Sequence, residues 1–202
     1  MIPPNSASAS APPPLLHPLA ELYAREGRAL PVLEPVAPEA MPEPARQLLV
    51  HQRDMTRTLE SFHQGRLHLR LLRQQREEAH YFRLVALELD GSGRPVEFGA
   101  TKVYLGHLPA RARDLILEGR RPLGGILNDQ GVPYRSAPSA FFVTSGDDLI
   151  REALGLPADA SPPRLHGRRN TLSSPEGEPL AEIIEILPPL PPPASVARAV
   201  PA

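Results

Sequence analysis

The chain has no cysteine among its 202 residues. Disulfides, thiolate catalysis and cysteine-ligated zinc are therefore excluded. It also has no excess of charge of either sign, because 22 basic and 23 acidic residues leave a formal net charge of −1. A dedicated nucleic-acid-binding protein normally carries a basic excess, so we expect no nucleic-acid partner.

Long apolar runs and targeting signals are missing as well. No segment approaches the ~18 consecutive apolar residues of a membrane-spanning helix, so we expect no membrane span. Residues 1–14, MIPPNSASASAPPP, lack the positive start and apolar centre of a secretory signal. The seven histidines show neither the i, i+4 helical pairing nor the nearby carboxylates of a zinc site, so we expect no metal. Together these absences predict a cytoplasmic protein, which we expect to be a monomer.

Proline is abundant instead, with 27 residues, and it concentrates near the two ends. Residues 1–14 and 188–202 have almost nothing to bury, which predicts two disordered or polyproline II tails. A PxxP-type docking ligand at Pro188 to Pro193 is an alternative interpretation of the second tail. Residues 15–187 carry the periodic apolar patterns and predict one folded domain.

Within that domain, helical and strand patterns follow one another in a definite order. The predicted helices cover 15–28, 45–50, 55–60 (with Asp54 as N-cap), 109–117 and 146–154. The predicted strands cover 66–71, 79–90, 96–105, 140–144, 164–172 and 180–187. Two hairpins and an intervening helical stretch indicate an α+β fold, an antiparallel β-sheet with helices packed against it.

Two charged residues interrupt apolar strands. Arg83 begins the run RLVAL, and Glu185 lies within IIEIL. A charge in a strand core must be paired or solvated. On one face of one sheet, the guanidinium would hold a ligand carboxylate and the glutamate would accept a hydroxyl hydrogen bond. The alternative is a buried salt bridge between the two residues, with no ligand.

A third feature lies between these two charged residues in the sequence. The segment PLGGIL at 122–127 is typical of a turn whose glycines let the backbone approach a ligand closely.

These features, in this order, resemble the chorismate pyruvate-lyase family. Leucines 48–49 followed by DMTR at 54–57 are similar to the segment that opens the lyase domain, and PLG at 122–124 is similar to a family turn. Residues 167–169, Gly-Arg-Arg, resemble a triplet at the same relative place. Glu185 follows Pro179 by six residues, the spacing of the catalytic glutamate in one branch of the family. The resemblance spans roughly residues 45–189.

The resemblance implies a chorismate lyase-like fold and a carbon–oxygen lyase that converts chorismate to 4-hydroxybenzoate and pyruvate without a cofactor, as in ubiquinone-type aromatic biosynthesis. Its partner would be a small anionic aromatic-precursor substrate. Arg83 would bind the ring carboxylate, and Glu185 would engage the ring hydroxyl and assist loss of the proton from the adjacent carbon. The implied substrate-binding residues are Arg83, Met55, Leu123, Gly124, Lys102 and Arg168.

At one position the chain departs from the family. Ala100 stands where well-studied bacterial members have an arginine after the glycine that here is Gly99. Lys102 shares a strand face with Ala100 and would restore a positive charge there.

Two other charged positions compete with the implied site residues. Arg168 and Arg169 are adjacent on a strand, so at most one of them can bind a second substrate carboxylate. Glu182 precedes Glu185 by three residues, and we expect it to face the other way, toward solvent.

A non-catalytic domain of the same fold that binds an aromatic acid is the alternative function. Effector-binding domains of a class of bacterial transcription regulators share this fold, and they normally follow a winged-helix module. The first 44 residues are too proline-rich for such a module, and on that ground the sequence favours the enzyme. Convergence of Arg83 and Glu185 on one cavity, rather than on each other, would distinguish a ligand site from a structural ion pair.

Overall fold

The computed structural model describes residues 15–157 and 161–190. The first predicted tail and most of the second lie outside these ranges. The strands are β1 Leu33–Pro35, β2 Leu67–Arg76, β3 His80–Leu89, β4 Pro95–Tyr104, β5 Arg135–Thr144, β6 Leu165–Ser173 and β7 Pro179–Leu187. The α-helices are α1 Leu19–Arg25, α2 Ala45–Leu49, α3 Met55–His63, α4 Ala110–Leu117, α5 Leu123–Asp129 and α6 Asp148–Ala153.

The described strands form one seven-stranded sheet in the spatial order β1-β5-β6-β7-β4-β3-β2. Every neighbouring pair is antiparallel. Burial follows position in the sheet. The interior strand β3, next to the edge of the sheet, is buried along nearly its whole length, whereas the edge strand β2 begins with alternating buried and exposed residues. The predicted α+β class, an antiparallel sheet with helices packed against it, is confirmed.

One predicted turn is a helix. Residues 122–127 were expected to form a glycine-rich turn, but α5 begins at Leu123. Leu123, Ile126 and Leu127 are spaced i, i+3, i+4, and all three are buried. Burial of this apolar face outweighs the low helix propensity of the two glycines.

The fifth strand is longer than its apolar pattern predicts. The expected strand at 140–144 is the second half of β5, which begins at Arg135. Pairing with β6 is irregular between Pro138 and Ala140, a local break at which a strand accommodates proline. The first half of β5 was not predicted, because the proline and its small polar neighbours lack the alternation of apolar and polar residues that is typical of a strand.

Helices cover the two faces of the sheet differently. One face packs against α1 and α6 through a single core that includes Leu22, Phe98 and Ile150. On the opposite face, the apolar residues form two separate clusters. One includes Leu59 of α3 and the other includes Ile126 of α5. The space between these two clusters positions the candidate site.

In residues 15–157 and 161–190, no helix has the length and apolarity needed to cross a membrane.

Candidate functional site

A cavity of about 60 Å³ lies between the two apolar clusters. Strands β3, β4 and β7 supply one wall, and the first residues of α3 and α5 supply the opposite wall. The wall residues used below are Asp54, Met55, Arg83, Val85, Leu87, Glu97, Gly99, Thr101, Leu123, Gly124, Ile183 and Glu185. The mixture of aliphatic side chains with a few buried charges is typical of a small-molecule site.

Strand register brings the two predicted polar residues to this cavity. Arg83 pairs with Thr101 on β4, and Thr101 pairs with Ile183 on β7. Glu185 is two residues from Ile183, so it projects from the same face of the sheet as Arg83. Arg83 and Glu185 therefore converge on one cavity, and they do not form an ion pair with each other among the described contacts.

Arg83 is a buried cation without a carboxylate partner in the part of the chain that the structure describes. It is 2 % exposed. Its Nη1 donates to the backbone oxygen of Arg121 at 3.4 Å, and its Nε has no hydrogen-bond partner among the described residues. Burial lowers the pKa of Arg83 to about 10, so the guanidinium remains charged at neutral pH. A desolvated guanidinium with free donors is a strong site for an anion.

Glu185 is bound to a different arginine. Arg168 lies opposite Glu185 in the β6–β7 register, and its Nε donates to Glu185 Oε2. Arg168 Nη1 also donates to the backbone oxygens of Leu49 and His51 at 2.9 and 3.0 Å. Arg168 is fully buried and is not among the residues that line the cavity. Arg168 therefore neutralises Glu185 from outside the cavity. The structure does not place Arg168 where it would contact a ligand.

Three of the residues implied to bind substrate line the cavity, namely Met55, Leu123 and Gly124. Met55 is the first residue of α3, and its neighbour Asp54 caps that helix by accepting from the Arg57 amide at 2.7 Å. The predicted N-cap is confirmed by this contact. The two helix starts thus bring an apolar wall over the charged strands.

Asp54 also joins the start of α3 to α5. Its Oδ2 accepts from Tyr134 Oη at 2.8 Å and from Asn128 Nδ2 at 3.3 Å. Burial and the neighbouring Asp54 carboxylate raise the pKa of Tyr134, so the phenol keeps its proton and donates. A Cβ atom at Gly124 would lie 2.0 Å from Asp54 Oδ2. Only glycine at this position permits the close approach of the two helices.

The structure does not bring Lys102 to the cavity. Because Thr101 shares the cavity face with Arg83, Lys102 projects from the opposite face. There its Nζ lies 3.2 Å from Glu21 of α1. Ala100 also lies on that opposite face and is fully buried in the core under α1 and α6. The departure at Ala100 therefore leaves this cavity unchanged, and Lys102 does not add a charge to it.

Glu182 faces away from Glu185, as expected, but it does not face solvent. It accepts hydrogen bonds from His17 and Tyr104, and Arg169 Nη2 lies 2.8 Å from its Oε1. These donors lower the pKa of Glu182 to about 2. These hydrogen bonds hold His17, which precedes α1, against the sheet face that packs on α1 and α6. Glu182 therefore has a structural role.

Glu97 is a cavity residue that the sequence analysis did not single out. It is 5 % exposed and lines the cavity. Its Oε2 has no hydrogen-bond partner in the described part of the chain. Burial, followed by the charges of Glu185 and Asp54, raises the pKa of Glu97 well above the ordinary value. In the sequence, Glu97 alternates with apolar neighbours and thus has the pattern of a solvent-facing residue. The signal that could have revealed it is Gly99, a strand-interior glycine on the same face.

Among the residues that the structure describes, no three His, Asp or Glu side chains are grouped as a metal ion would require.

Comparison with known proteins gives structural matches only. No protein-family model matches the chain, and no curated protein matches its sequence. The effector domain of PhnF from Mycobacterium smegmatis is 12% identical, with a TM-score of 0.51 over 66% of this chain and 87% of that chain. The structure of PhnF from the same organism is 14% identical, with a TM-score of 0.50 over 83% and 92% of the two chains.

A third similar structure is the ligand-binding domain assigned to a GntR-family transcriptional regulator from Bordetella bronchiseptica. It is 14% identical, with a TM-score of 0.47, and the match covers 60% of this chain and 85% of that chain.

At these identities the likeness establishes the fold, which is the chorismate lyase-like fold of such effector domains. The prediction of an enzyme is contradicted, because the similar structure with a TM-score of 0.51 is an effector domain. The proline content of the first 44 residues therefore does not indicate an enzyme. Membership of the chorismate pyruvate-lyase family itself is not confirmed, and the similar structures give no support for a role in ubiquinone biosynthesis.

Proposed function

We propose that this chain is a non-catalytic binding domain for a small aromatic carboxylic acid, and that Arg83 binds the ligand carboxylate. The observation that carries the proposal is the buried Arg83 guanidinium, which lines a mostly apolar cavity with no carboxylate partner among the described residues. Burying an unpaired charge costs several kcal/mol. An unpaired buried arginine contributes little to the stability of the fold, whereas a site that binds an anion requires one.

The other walls of the cavity suit an aromatic ring. Met55, Leu123 and Ile183 present apolar surface on two sides, and Gly99 lines the cavity without a side chain of its own. Glu185 is neutralised by Arg168, so it serves as a hydrogen-bond acceptor for a ligand hydroxyl rather than as a site for a cation. An effector-binding role agrees with the structural similarity to the effector domain of PhnF.

The size of the cavity implies that it expands when a ligand binds. Its volume is about 60 Å³, whereas an engineered apolar cavity that admits benzene measures about 150 Å³. The wall that can move is the one formed by α3 and α5, because side-chain hydrogen bonds from Asn128 and Tyr134 to Asp54, rather than strand pairing, hold it in place. We therefore expect the starts of α3 and α5 to shift outward as an aromatic acid enters.

A thermal-shift panel tests the proposal. Benzoate and 4-hydroxybenzoate should raise the melting temperature, while the matched neutral compounds benzamide and benzyl alcohol should not. At a free ligand concentration of 100 times Kd, binding adds about 2.7 kcal/mol, which corresponds to about 5–10 °C for a chain of this size. Equal shifts with acids and amides, or no shift with any acid, would contradict the proposal. Release of pyruvate from chorismate would contradict the non-catalytic assignment.

A further inference from the structure

Glu97 is a buried acid to which neither the proposed carboxylate site nor the core packing gives a role. It lies on β4 among the cavity residues, and its Oε2 is without a hydrogen-bond partner in residues 15–157 and 161–190. A buried polar atom left unsatisfied costs about 1–3 kcal/mol. Unpartnered buried polar groups are uncommon in native proteins. The unpartnered Glu97 oxygen therefore either destabilises the fold or serves a function.

Strand geometry places Glu97 at the end of the cavity remote from Arg83. Arg83 pairs with Thr101, and Glu97 pairs with Leu87. Glu97 and Thr101 are four positions apart on β4, which places their Cα atoms about 13 Å apart along the strand. Gly99 lies midway, and a Cβ atom there would be 3.5 Å from Glu97 Oε1. The same Cβ atom would be 3.1 Å from Val85 Cγ2, so the glycine lets the Val85 side chain and the Glu97 carboxyl group lie close to the strand between Glu97 and Thr101.

The charges around Glu97 determine its protonation. Asp54 faces it from the start of α3, Glu185 from β7 and Arg168 from β6, while Arg83 lies at the far end on β3. Arg168 is already bound to Glu185. Burial and the two nearby carboxylates raise the pKa of Glu97. A protonated carboxyl group is a hydrogen-bond donor, whereas a carboxylate only accepts.

We infer that Glu97 determines the specificity of this site by donating a hydrogen bond to an uncharged acceptor oxygen at the end of the ligand remote from its carboxylate. The inference rests on the proposed function, in which Arg83 binds that carboxylate. The ligand class is then an aromatic monoacid that carries a carbonyl, ether or hydroxyl oxygen opposite its acid group. Diacids are rejected, because a second carboxylate would lie against Glu185 and Asp54.

Three ligands of similar shape isolate this contact by isothermal titration calorimetry. 4-Formylbenzoate carries the acceptor oxygen, 4-vinylbenzoate replaces it by an apolar CH₂, and terephthalate adds a second charge. The wild-type protein should bind 4-formylbenzoate at least about tenfold more tightly than 4-vinylbenzoate, because the apolar analogue leaves a buried donor unpaired. Terephthalate should show no binding at concentrations at which 4-formylbenzoate saturates the site.

Variants then assign the preference to Glu97. Glu97→Gln keeps a donor of the same shape and should keep the preference for 4-formylbenzoate. Glu97→Leu should bind the formyl and vinyl ligands with affinities within about threefold of each other, since the donor is gone. The wild-type ligand comparison does not depend on whether either variant folds.

The outcomes separate this inference from the proposed function. Equal wild-type affinity for the two ligands, or a preference that survives in a folded Glu97→Leu variant, overturns the role of Glu97 while the carboxylate site stands. Tight binding of terephthalate overturns the stated ligand class. Failure of every aromatic acid to bind the wild-type protein overturns the proposed function, and this inference with it.

Discussion

Arg168 and Glu185 form a buried ion pair between directly opposed positions of β6 and β7. The Arg168 side chain is fully buried, and that of Glu185 is 5% exposed. Arg168 also holds the backbone at Leu49 and His51, and so fixes the segment that leads into α3. Glu185 therefore forms its buried salt bridge with Arg168 rather than with Arg83. Its existence leaves Arg83 available for a ligand.

Replacing one residue of this ion pair should lower the free energy of unfolding more than replacing both. Arg168→Met leaves an uncompensated buried carboxylate and should lower the free energy of unfolding by about 3–5 kcal/mol. The double variant Arg168→Met/Glu185→Leu should recover part of that loss, because no unpaired charge remains. Urea denaturation of the wild type and of the single and double variants measures the coupling. Equal losses in the single and double variants would show that the ion pair is not what stabilises this region.

Much of the fold could be predicted from the sequence, because alternation and helix caps are local signals. The strands at 79–90 and 96–105 and the cap at Asp54 agree with the structure to within a few residues. The face that each strand residue occupies also follows from alternation once one position is known. Glu182 and Glu185 were correctly placed on opposite faces for this reason.

The partners of the site residues could not be predicted in the same way. Which arginine meets Glu185 depends on the pairing of β6 with β7 and of β4 with β7, which are contacts between distant segments. Lys102 was assigned to the site on an analogy with a family arginine, and the register with Arg83 places it on the other face. Glu97 escaped notice because a buried acid and a solvent-facing acid have the same pattern in an alternating strand.

Two adjacent glycines of α5 provide a matched test of the contact between helices. Gly124→Ala would place a Cβ atom 2.0 Å from Asp54 Oδ2 and displace the cap of α3. Gly125→Ala meets no atom within 4 Å and gains helix propensity of about 0.5–1 kcal/mol. Overpacking costs about 1–3 kcal/mol, so Gly124→Ala should melt at a lower temperature than Gly125→Ala. Melting curves from circular dichroism measure this difference, and identical curves would mean that α3 and α5 do not touch at this point.

The buried Glu97 should make the free energy of unfolding of the wild-type protein decrease as the pH rises. The ordinary pKa of a glutamate is 4.5, and that of Glu97 in the folded protein is well above it. Between these two values the unfolded chain releases a proton that the folded chain keeps, so raising the pH favours unfolding. Glu97→Gln removes this titration. Its stability relative to the wild type should therefore rise from pH 4.5 to 7.5, by up to about 1.4 kcal/mol per pH unit within the window.

Chemical denaturation of the two proteins at pH 4.5, 6 and 7.5 measures that difference. All other titrating groups are common to both chains, so the pH dependence of the difference reports on Glu97 together with the nearby carboxylates of Glu185 and Asp54. A difference that does not change with pH would show that Glu97 is ionised in the folded protein. That result would also contradict its role as a hydrogen-bond donor.

Calorimetric titration of benzoate into three proteins tests most directly whether Arg83 binds the ligand carboxylate. Arg83→Met keeps a long apolar side chain and removes the charge, and the exposed Arg76→Met on β2 is the control. The account predicts that Arg83→Met loses at least about 30-fold in affinity, or about 2 kcal/mol, while Arg76→Met matches the wild type. The free energy of unfolding of Arg83→Met should be unchanged or higher, since no buried partner is left unpaired. Benzoate binding of wild-type strength in a folded Arg83→Met variant would contradict the account.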